Sequence, residues 1–191
     1  MKKTIKHSLV LVLPILLVAV MFIPPANTAS SVVHDPTGDS DSPAPYLDIV
    51  HAMVTEQQGK ETLIFMMVLA GPILEPLESV LIWVFHLDTN PATSPVGLYN
   101  EYVIRVLWSS GAFVGQVVDR TPLLTGGVPS ITPIPFSIDG RTVKVFAPLE
   151  TLGNPSSFGW NAATRPGFPP VAYVDFAPDG GLATDLATWT Q

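Results

Sequence analysis

The stretch that decides the fold is residues 34–70, HDPTGDSDSPAPYLDIVHAMVTEQQGKETLIFMMVLA. It opens with acidic residues set among Pro, Gly and Ser, and continues as two β-rich runs, residues 46–56 and 61–70. The short polar segment QQGK at 57–60 separates the runs, and two such runs joined by a tight turn are typical of a β-hairpin. The stretch therefore predicts the start of a β-sandwich whose first loop offers the oxygen ligands that a hard cation prefers.

Short β-rich runs broken by Pro and Gly recur after this hairpin, and no segment beyond residue 29 keeps a helical apolar period over three turns. Asp139-Gly140 predicts a type I′ hairpin turn, and residues 148–153 predict one helical turn closed by Gly153. The expected fold is all-β, a two-sheet antiparallel β-sandwich of jelly-roll type with about eight or nine strands. The predicted strands are 46–56, 61–70, 79–88, 98–108, 112–119, 136–139, 141–147, 158–164 and 171–176.

The first 29 residues have the pattern of a signal peptide. Lysines at positions 2, 3 and 6 precede an apolar run at 9–23, and the segment ends in small residues at Ala29. We expect export with cleavage near Ala29, and an uncleaved N-terminal anchor is the alternative. The chain then divides into a signal peptide (1–29), an acidic Pro/Ser-rich arm (30–45) and a β-sandwich domain (46–191), with an extracytoplasmic location, secreted or at the cell surface.

The charge balance and the lack of cysteine exclude several classes of partner and chemistry. Three of the nine Lys and Arg lie in the leader, so residues 30–191 set six basic residues against sixteen acids, a net charge of −10. This balance argues against nucleic acid and anionic membrane surfaces as partners, because both require clustered basic residues. With no Cys in the chain, a lipid-modified cysteine, disulfides and zinc–thiolate chemistry are all excluded.

Two loops are rich in oxygen ligands. Asp35, Asp39 and Asp41 lie within seven residues, and Asp48 follows at the start of the first predicted strand. Such spacing suits Ca²⁺, which takes six to eight oxygens, although a solvated acidic arm is the alternative. The second loop, residues 88–93, offers Asp88, Asn90 and Thr93, for which a plain Asx turn is the alternative interpretation.

Residues 35–70 resemble a known family. Asp-Pro-x-Gly-Asp, the strand Tyr-Leu-Asp-Ile-Val, and Leu-Ile-Phe-x-Met after a turn are similar to the start of carbohydrate-binding modules of the family 9 type. These are related to DOMON domains and to the C-terminal module of glucodextranase-type enzymes. The resemblance implies an antiparallel β-sandwich with structural calcium that binds sugars or, in some members, haem. It places Asp35, Asp39 and Asp48 at the cation, with Asp175 as a later contributor.

The ligand is less well defined by the sequence. No pair of exposed Trp residues placed to sandwich a sugar ring is identifiable, which departs from the sugar-binding members. Trp160 beside Tyr173 is the candidate sugar platform, and a Trp at the rim that seals the sandwich is the alternative. The similarity to DOMON domains, whose haem sites can use His and Met ligands, makes Met53, Met66 and Met67 candidate ligands. Core packing is the alternative explanation for these methionines.

Two predicted strands, 61–70 and 79–88, are apolar on both faces. Either the Pro-rich segment 120–135 covers them or they form a ligand or partner interface. The sequence leaves the oligomeric state open. Enzyme motifs such as GxSxG, SxxK or a phosphate loop do not occur. We therefore expect a binding module for glycan or cell-surface polysaccharide with structural Ca²⁺ and no enzymatic activity. The alternatives are a protein-interaction or assembly subunit and a haem-binding redox module.

Overall fold

The structure is a computed structural model that describes residues 29–75, 77, 79–96, 100–179 and 186–191. Almost all of the predicted signal peptide lies outside these residues. Within them the chain forms strands and short 3₁₀ turns, and no helix is long and apolar enough to cross a membrane.

The fold is all-β, as the sequence predicts, with two antiparallel sheets packed face to face. Short 3₁₀ turns occur at Pro45–Leu47, Pro91–Val96, Thr121–Thr125 and Leu149–Leu152. The strands are β1 (Ser30–His34), β2 (Ile49–Glu56), β3 (Thr62–Leu69), β4 (Leu81–Asp88), β5 (Tyr102–Ser109), β6 (Ala112–Asp119), β7 (Ser130–Pro133), β8 (Phe136–Asp139), β9 (Thr142–Pro148), β10 (Ser157–Pro166), β11 (Asp175–Ala177) and β12 (Ala187–Thr190).

Strand order sets which loops meet. The five-stranded sheet runs β1-β2-β3-β9-β8, and the seven-stranded sheet runs β11-β10-β4-β5-β6-β7. The last strand, β12, also pairs with β10, so β12 and β11 follow one another along the same side of β10. This arrangement brings β11, near the end of the chain, beside the loop that joins β1 to β2.

Alternating side chains fill the space between the sheets. On β3, Leu63, Phe65, Met67 and Leu69 point inward and are fully buried. Phe65 meets Phe85 of β4 across the core with ring centroids 5.4 Å apart. Burying aromatic side chains of this size contributes most of the driving force for packing the two sheets.

Besides β7, which is described below, the structure contains two strands that are absent from the predicted list, β1 and β12. β1 pairs with β2 from Ser30 opposite Thr55 to His34 opposite His51, so part of the predicted N-terminal arm belongs to the five-stranded sheet. β12 pairs with the start of β10. Both strands are short edge strands of four or five residues, and such strands carry too little alternation to stand out in sequence.

The segment 120–135 contains an edge strand, because its residues Ser130–Pro133 pair with β6. The outer face of β4 is instead covered from the other end of the chain. Ile82 and Val84 form a second apolar cluster with Leu107 and Ala163, against which Tyr173 and Phe176 pack. This explains why β4 is apolar on both faces: its two faces belong to two separate buried clusters.

Candidate functional site

Three carboxylates from two distant parts of the chain meet at one corner of the sandwich. Asp35 directly follows β1, Asp39 lies in the following loop, and Asp175 is the first residue of β11. One carboxylate oxygen from each lies within 4.8 Å of the others. Asp35 and Asp175 are buried and Asp39 is exposed. The structure thus brings together three of the four aspartates that the sequence assigns to a cation.

The fourth aspartate, Asp48, holds the loop in shape. Gly38 has φ of +91°, a left-handed conformation that favours glycine. Its backbone N–H donates to Asp48 Oδ2 at 2.9 Å. Further along the loop, the backbone N–H of Asp41 donates to the Val174 carbonyl at 2.8 Å, and Ser40 Oγ donates to the same carbonyl at 3.2 Å. The acidic loop is therefore tied to the segment that carries Asp175.

Asp175 connects the two sheets. Its Oδ2 accepts a hydrogen bond from the backbone N–H of Ile49 in β2, and its Oδ1 accepts one from the N–H of Phe176 at 2.8 Å. Ile49 belongs to the five-stranded sheet and Asp175 to the seven-stranded sheet. An ion held by Asp35, Asp39 and Asp175 would therefore link the N-terminal strand, the acidic loop and both sheets.

The carboxylates disfavour one another's ionisation. The pKa of Asp35 is raised to about 8, mainly by burial and then by the charges of Asp175, Asp179 and Asp39. Burial also raises the pKa of Asp175 to about 7. The backbone hydrogen bonds from Ile49 and Phe176 oppose this rise, and the negative charges of Asp39 and Asp48 add to it. Like-charge crowding of this kind is relieved when a cation binds. We call these five residues, Asp35, Asp39, Asp48, Asp175 and Asp179, the acidic cluster.

Two oxygens of the acidic cluster are buried without a hydrogen-bond partner, Asp35 Oδ2 and Asp48 Oδ1. Asp35 and Asp48 are only 8% and 7% exposed, so leaving these oxygens unpaired is costly. The ligand set contains carboxylates and no His or Cys, which suits a hard cation such as Ca²⁺ or Mg²⁺. The residues present therefore fit a divalent cation.

Asp179 is the member of the acidic cluster that the sequence analysis did not single out. It follows β11 and is exposed, and its charge raises the pKa of both Asp35 and Asp39. The acidic turn at 177–181 carries a signal in sequence, but only the pairing of β11 with β10 places that turn beside the first loop.

The second oxygen-rich loop has a structural explanation. The backbone N–H of Asn90 donates to Asp88 Oδ1 at 3.1 Å, which is the Asx turn left open by the sequence. The loop also wraps around the buried carboxylate of Glu101, which accepts hydrogen bonds from the Thr89 N–H at 2.8 Å and from the Thr93 hydroxyl. Asp88 does not belong to the carboxylate group at the corner. The loop acts as a cap for Glu101.

Trp160, the candidate sugar platform, lies in the core and not at the surface. Trp160 lies within β10, is fully buried, packs 6.1 Å from Phe85 between ring centroids, and donates through Nε1 to Ser31 Oγ at 3.0 Å. Phe158, Trp160 and Ala162 alternate along β10 on the face that packs into the core, so the strand turns Trp160 inward. Its ring therefore cannot receive a sugar, and the alternative of a Trp that seals the sandwich describes it.

Tyr173 is partly exposed, but its ring has protein neighbours on several sides. The Arg165 guanidinium carbon lies 4.9 Å from the ring centroid, and Phe176 packs at 5.2 Å. The Tyr173 hydroxyl lies 2.8 Å from His86 Nε2. Tyr173 thus belongs to a polar group that the sequence analysis did not assemble.

The methionines considered for haem divide between two environments. Met67 is fully buried between the sheets, whereas Met53 and Met66 are cross-strand neighbours on the outer face of the five-stranded sheet. Beside them, Val32 is 45% exposed. The outer face of β3 therefore stays partly open, and both haem binding and a protein interface on this face stay predictions.

Comparison with known proteins assigns no family to this chain. No protein-family model, no curated protein and no solved structure matches this chain.

Proposed function

We propose that this protein is an exported β-sandwich binding module stabilised by a structural Ca²⁺ ion at the acidic cluster. The observation that carries the proposal is the meeting of Asp35, Asp39 and Asp175 within 4.8 Å, with the buried Asp35 Oδ2 lacking any partner. Ca²⁺ accepts irregular sets of carboxylate, carbonyl and water oxygens, whereas Mg²⁺ demands near-ideal octahedral geometry. A cluster assembled from two distant chain segments suits the more tolerant ion.

The position of the cluster supports a structural role. Asp35 and Asp39 lie before β2, while Asp175 starts β11 in the other sheet. An ion bound to all three joins segments about 140 residues apart in sequence, which favours the folded state over the unfolded chain. The ligand that the resemblance implies is a carbohydrate. Because Trp160 is buried, support for a sugar comes from that resemblance alone, and a glycan array in calcium would identify such a ligand.

Calorimetric titration of metal-free protein with CaCl₂ tests the proposal. We expect one bound Ca²⁺ per chain and weaker binding of Mg²⁺. Asp39→Asn should weaken Ca²⁺ binding by about tenfold or more, because it removes one charged ligand. Asp39 is exposed, so this substitution spares the core.

Asp139→Asn is the matched control, because it removes the same charge from an exposed position in β8 at the other edge of the five-stranded sheet. Its Ca²⁺ affinity should equal that of the parent protein. Absence of stoichiometric Ca²⁺ binding by the parent, or equal losses in both variants, would contradict the proposal.

A further inference from the structure

Three arginines converge on the outer face of the seven-stranded sheet. Arg105 lies in β5, Arg165 lies in β10, and Arg120 directly follows β6. Together with His86, Asn100 and Tyr173 they line a cavity of about 320 Å³. We call it the arginine cavity. It holds half of the six basic residues of the segment 30–191, although that segment carries a net charge of −10.

The positive charges in the arginine cavity have neutral partners. Arg105 donates through Nε and Nη2 to Gln116 Oε1 at 3.0 and 2.8 Å. Arg120 donates through Nη1 to the backbone carbonyl and the side-chain oxygen of Asn100. In the described part of the chain no carboxylate forms an ion pair with any of the three guanidinium groups. Burial lowers the pKa of Arg105, and the charge of Arg165 lowers it further.

Arg165 provides a second and independent observation. It is only 8% exposed, and its Nε is buried without a hydrogen-bond partner. The guanidinium is held over the Tyr173 ring, with its carbon 4.9 Å from the centroid. Stacking of this kind orients the planar fork. Because a buried charged donor without a partner is costly, Arg165 is poised for an acceptor that enters the cavity.

The polar groups behind the arginines are fixed and uncharged. Burial, followed by the charges of Arg120 and Arg165, lowers the pKa of His86 to about 4, although the hydrogen bond to Asn161 opposes this shift. His86 is therefore neutral at pH 7. With its proton on Nδ1, His86 donates to Asn161 Oδ1 at 3.0 Å, and the Tyr173 hydroxyl donates to Nε2 at 2.8 Å. The positive charge of the arginine cavity thus comes from the arginines alone.

We propose that the arginine cavity binds an oxyanion: a carboxylate, sulfate or phosphate group, either free or carried by a small molecule. Guanidinium groups match the geometry of these anions with paired N–H donors, and a site of this volume admits a small ligand. An extended polyanion fits poorly, because the remainder of the segment 30–191 is strongly acidic and would repel it. The inference goes beyond calcium binding and does not depend on it.

Calorimetric titration with sodium sulfate, sodium phosphate, sodium glucuronate and neutral glucose tests the proposal at constant ionic strength set by NaCl. We expect saturable binding of at least one oxyanion and none of glucose. Tighter binding of glucuronate than of the inorganic ions indicates an oxyanion carried on a sugar, and the reverse order indicates a free ion. Absence of saturable binding by all three oxyanions would overturn the proposal.

The substitutions Arg105→Gln and Arg120→Gln should each weaken oxyanion binding by about tenfold, because each removes hydrogen bonds to a charged group. Arg141→Gln is the matched control, since it removes the same charge from an exposed position outside the cavity. Arg105→Lys and Arg120→Lys keep the positive charge but cannot form the paired N–H contacts. A Lys variant that melts like the parent protein and still binds the oxyanion more weakly shows that binding, and not folding, is lost. If Arg141→Gln weakened oxyanion binding equally, the loss would follow from the change in net charge, and the proposed site would be rejected.

Discussion

The acidic cluster and the arginine cavity are opposite in charge, but each contains buried side-chain atoms that lack a hydrogen-bond partner. In the described part of the chain, three buried side-chain atoms lack a hydrogen-bond partner: Asp35 Oδ2, Asp48 Oδ1 and Arg165 Nε. The first two belong to the acidic cluster and the third to the arginine cavity. Each region brings together charged groups of one sign, and some of their hydrogen-bonding atoms have no partner. Each region is therefore suited to a ligand of opposite charge.

The two regions differ in how they are built. The acidic cluster joins loops and strand ends from both sheets, so its ligand would hold the sandwich together. The arginine cavity lies on one face of one sheet, on side chains fixed by strand register. Removing its ligand leaves the core untouched. The comparison therefore predicts a structural ion at the acidic cluster and an exchangeable ligand in the arginine cavity.

The largest expected effect is the loss of calcium from the acidic cluster. Saturating Ca²⁺ at roughly 100 times its dissociation constant should add about 2.7 kcal/mol to the free energy of unfolding. For a domain of this size that raises the melting temperature by about 5–10 °C. Thermal melting in EDTA and in excess CaCl₂ measures the shift. A parent protein with the same melting temperature in both buffers would show that the acidic cluster has no structural ion.

A slightly smaller effect should appear on changing pH in EDTA. The pKa values of Asp35 and Asp175 are raised to about 8 and about 7, so the folded protein holds protons that the unfolded chain releases near pH 4. This stabilisation is present at low pH and is lost as the pH rises through 7 and 8. We expect the free energy of unfolding to fall from pH 6 to pH 8, by less than the full pKa shifts imply because solvent partly screens both carboxylates.

Calcium should reverse this pH trend, because Ca²⁺ binds the ionised carboxylates. The difference in melting temperature between CaCl₂ and EDTA should therefore widen from pH 6 to pH 8. Asp35→Asn removes the group with the higher of the two pKa values and should flatten the profile in EDTA. A parent profile in EDTA that rises with pH over this range would contradict the assignment.

The smallest expected effect is coupling between the two regions. Tyr173 lines the arginine cavity and lies two residues before Asp175, and the carbonyl of Val174 between them accepts hydrogen bonds from the acidic loop. If both sites are occupied as proposed, calcium should order this segment and tighten oxyanion binding by about fivefold, at the low end of typical coupling. Oxyanion titrations in EDTA and in CaCl₂ measure the ratio, and an unchanged affinity would show that the regions are independent.

Tyr173→Phe sharpens this test. It removes the hydroxyl that contacts His86 while keeping the ring under Arg165. We expect Ca²⁺ affinity to stay the same, because Tyr173 supplies no carboxylate, while the effect of calcium on oxyanion binding diminishes.

Much of the fold could be predicted because it depends on local patterns. The runs at 112–119 and 136–139 match β6 and β8, and the helical turn closed by Gly153 occurs as expected, with φ of +75° at that glycine. The orientation of Trp160 could not be predicted in the same way. The predicted strand 158–164 already contains Trp160, but alternation alone does not say which of its two faces is covered. The pairing of β10 with β4 and β12 turns the face of Phe158, Trp160 and Ala162 toward the core.

Part of the acidic cluster could be predicted from the sequence. Asp35, Asp39 and Asp48 lie close together along the chain, so a local loop already concentrates their charge. Asp175 was included through the family resemblance, and Asp179 was not included. Both depend on β11 lying beside the first loop, which no local pattern encodes.

The sequence by itself determined the strand periodicity, the acidic balance, the absence of cysteine and the acidic first loop, because these are properties of neighbouring residues. The tertiary structure alone decided that Arg105 and Arg165 share a cavity. In sequence they are isolated charges on separate strands, and the order β10-β4-β5 brings them to one face. The physical reason is that strand pairing is set by burial of the core face, and the neighbours on the opposite face follow from that pairing.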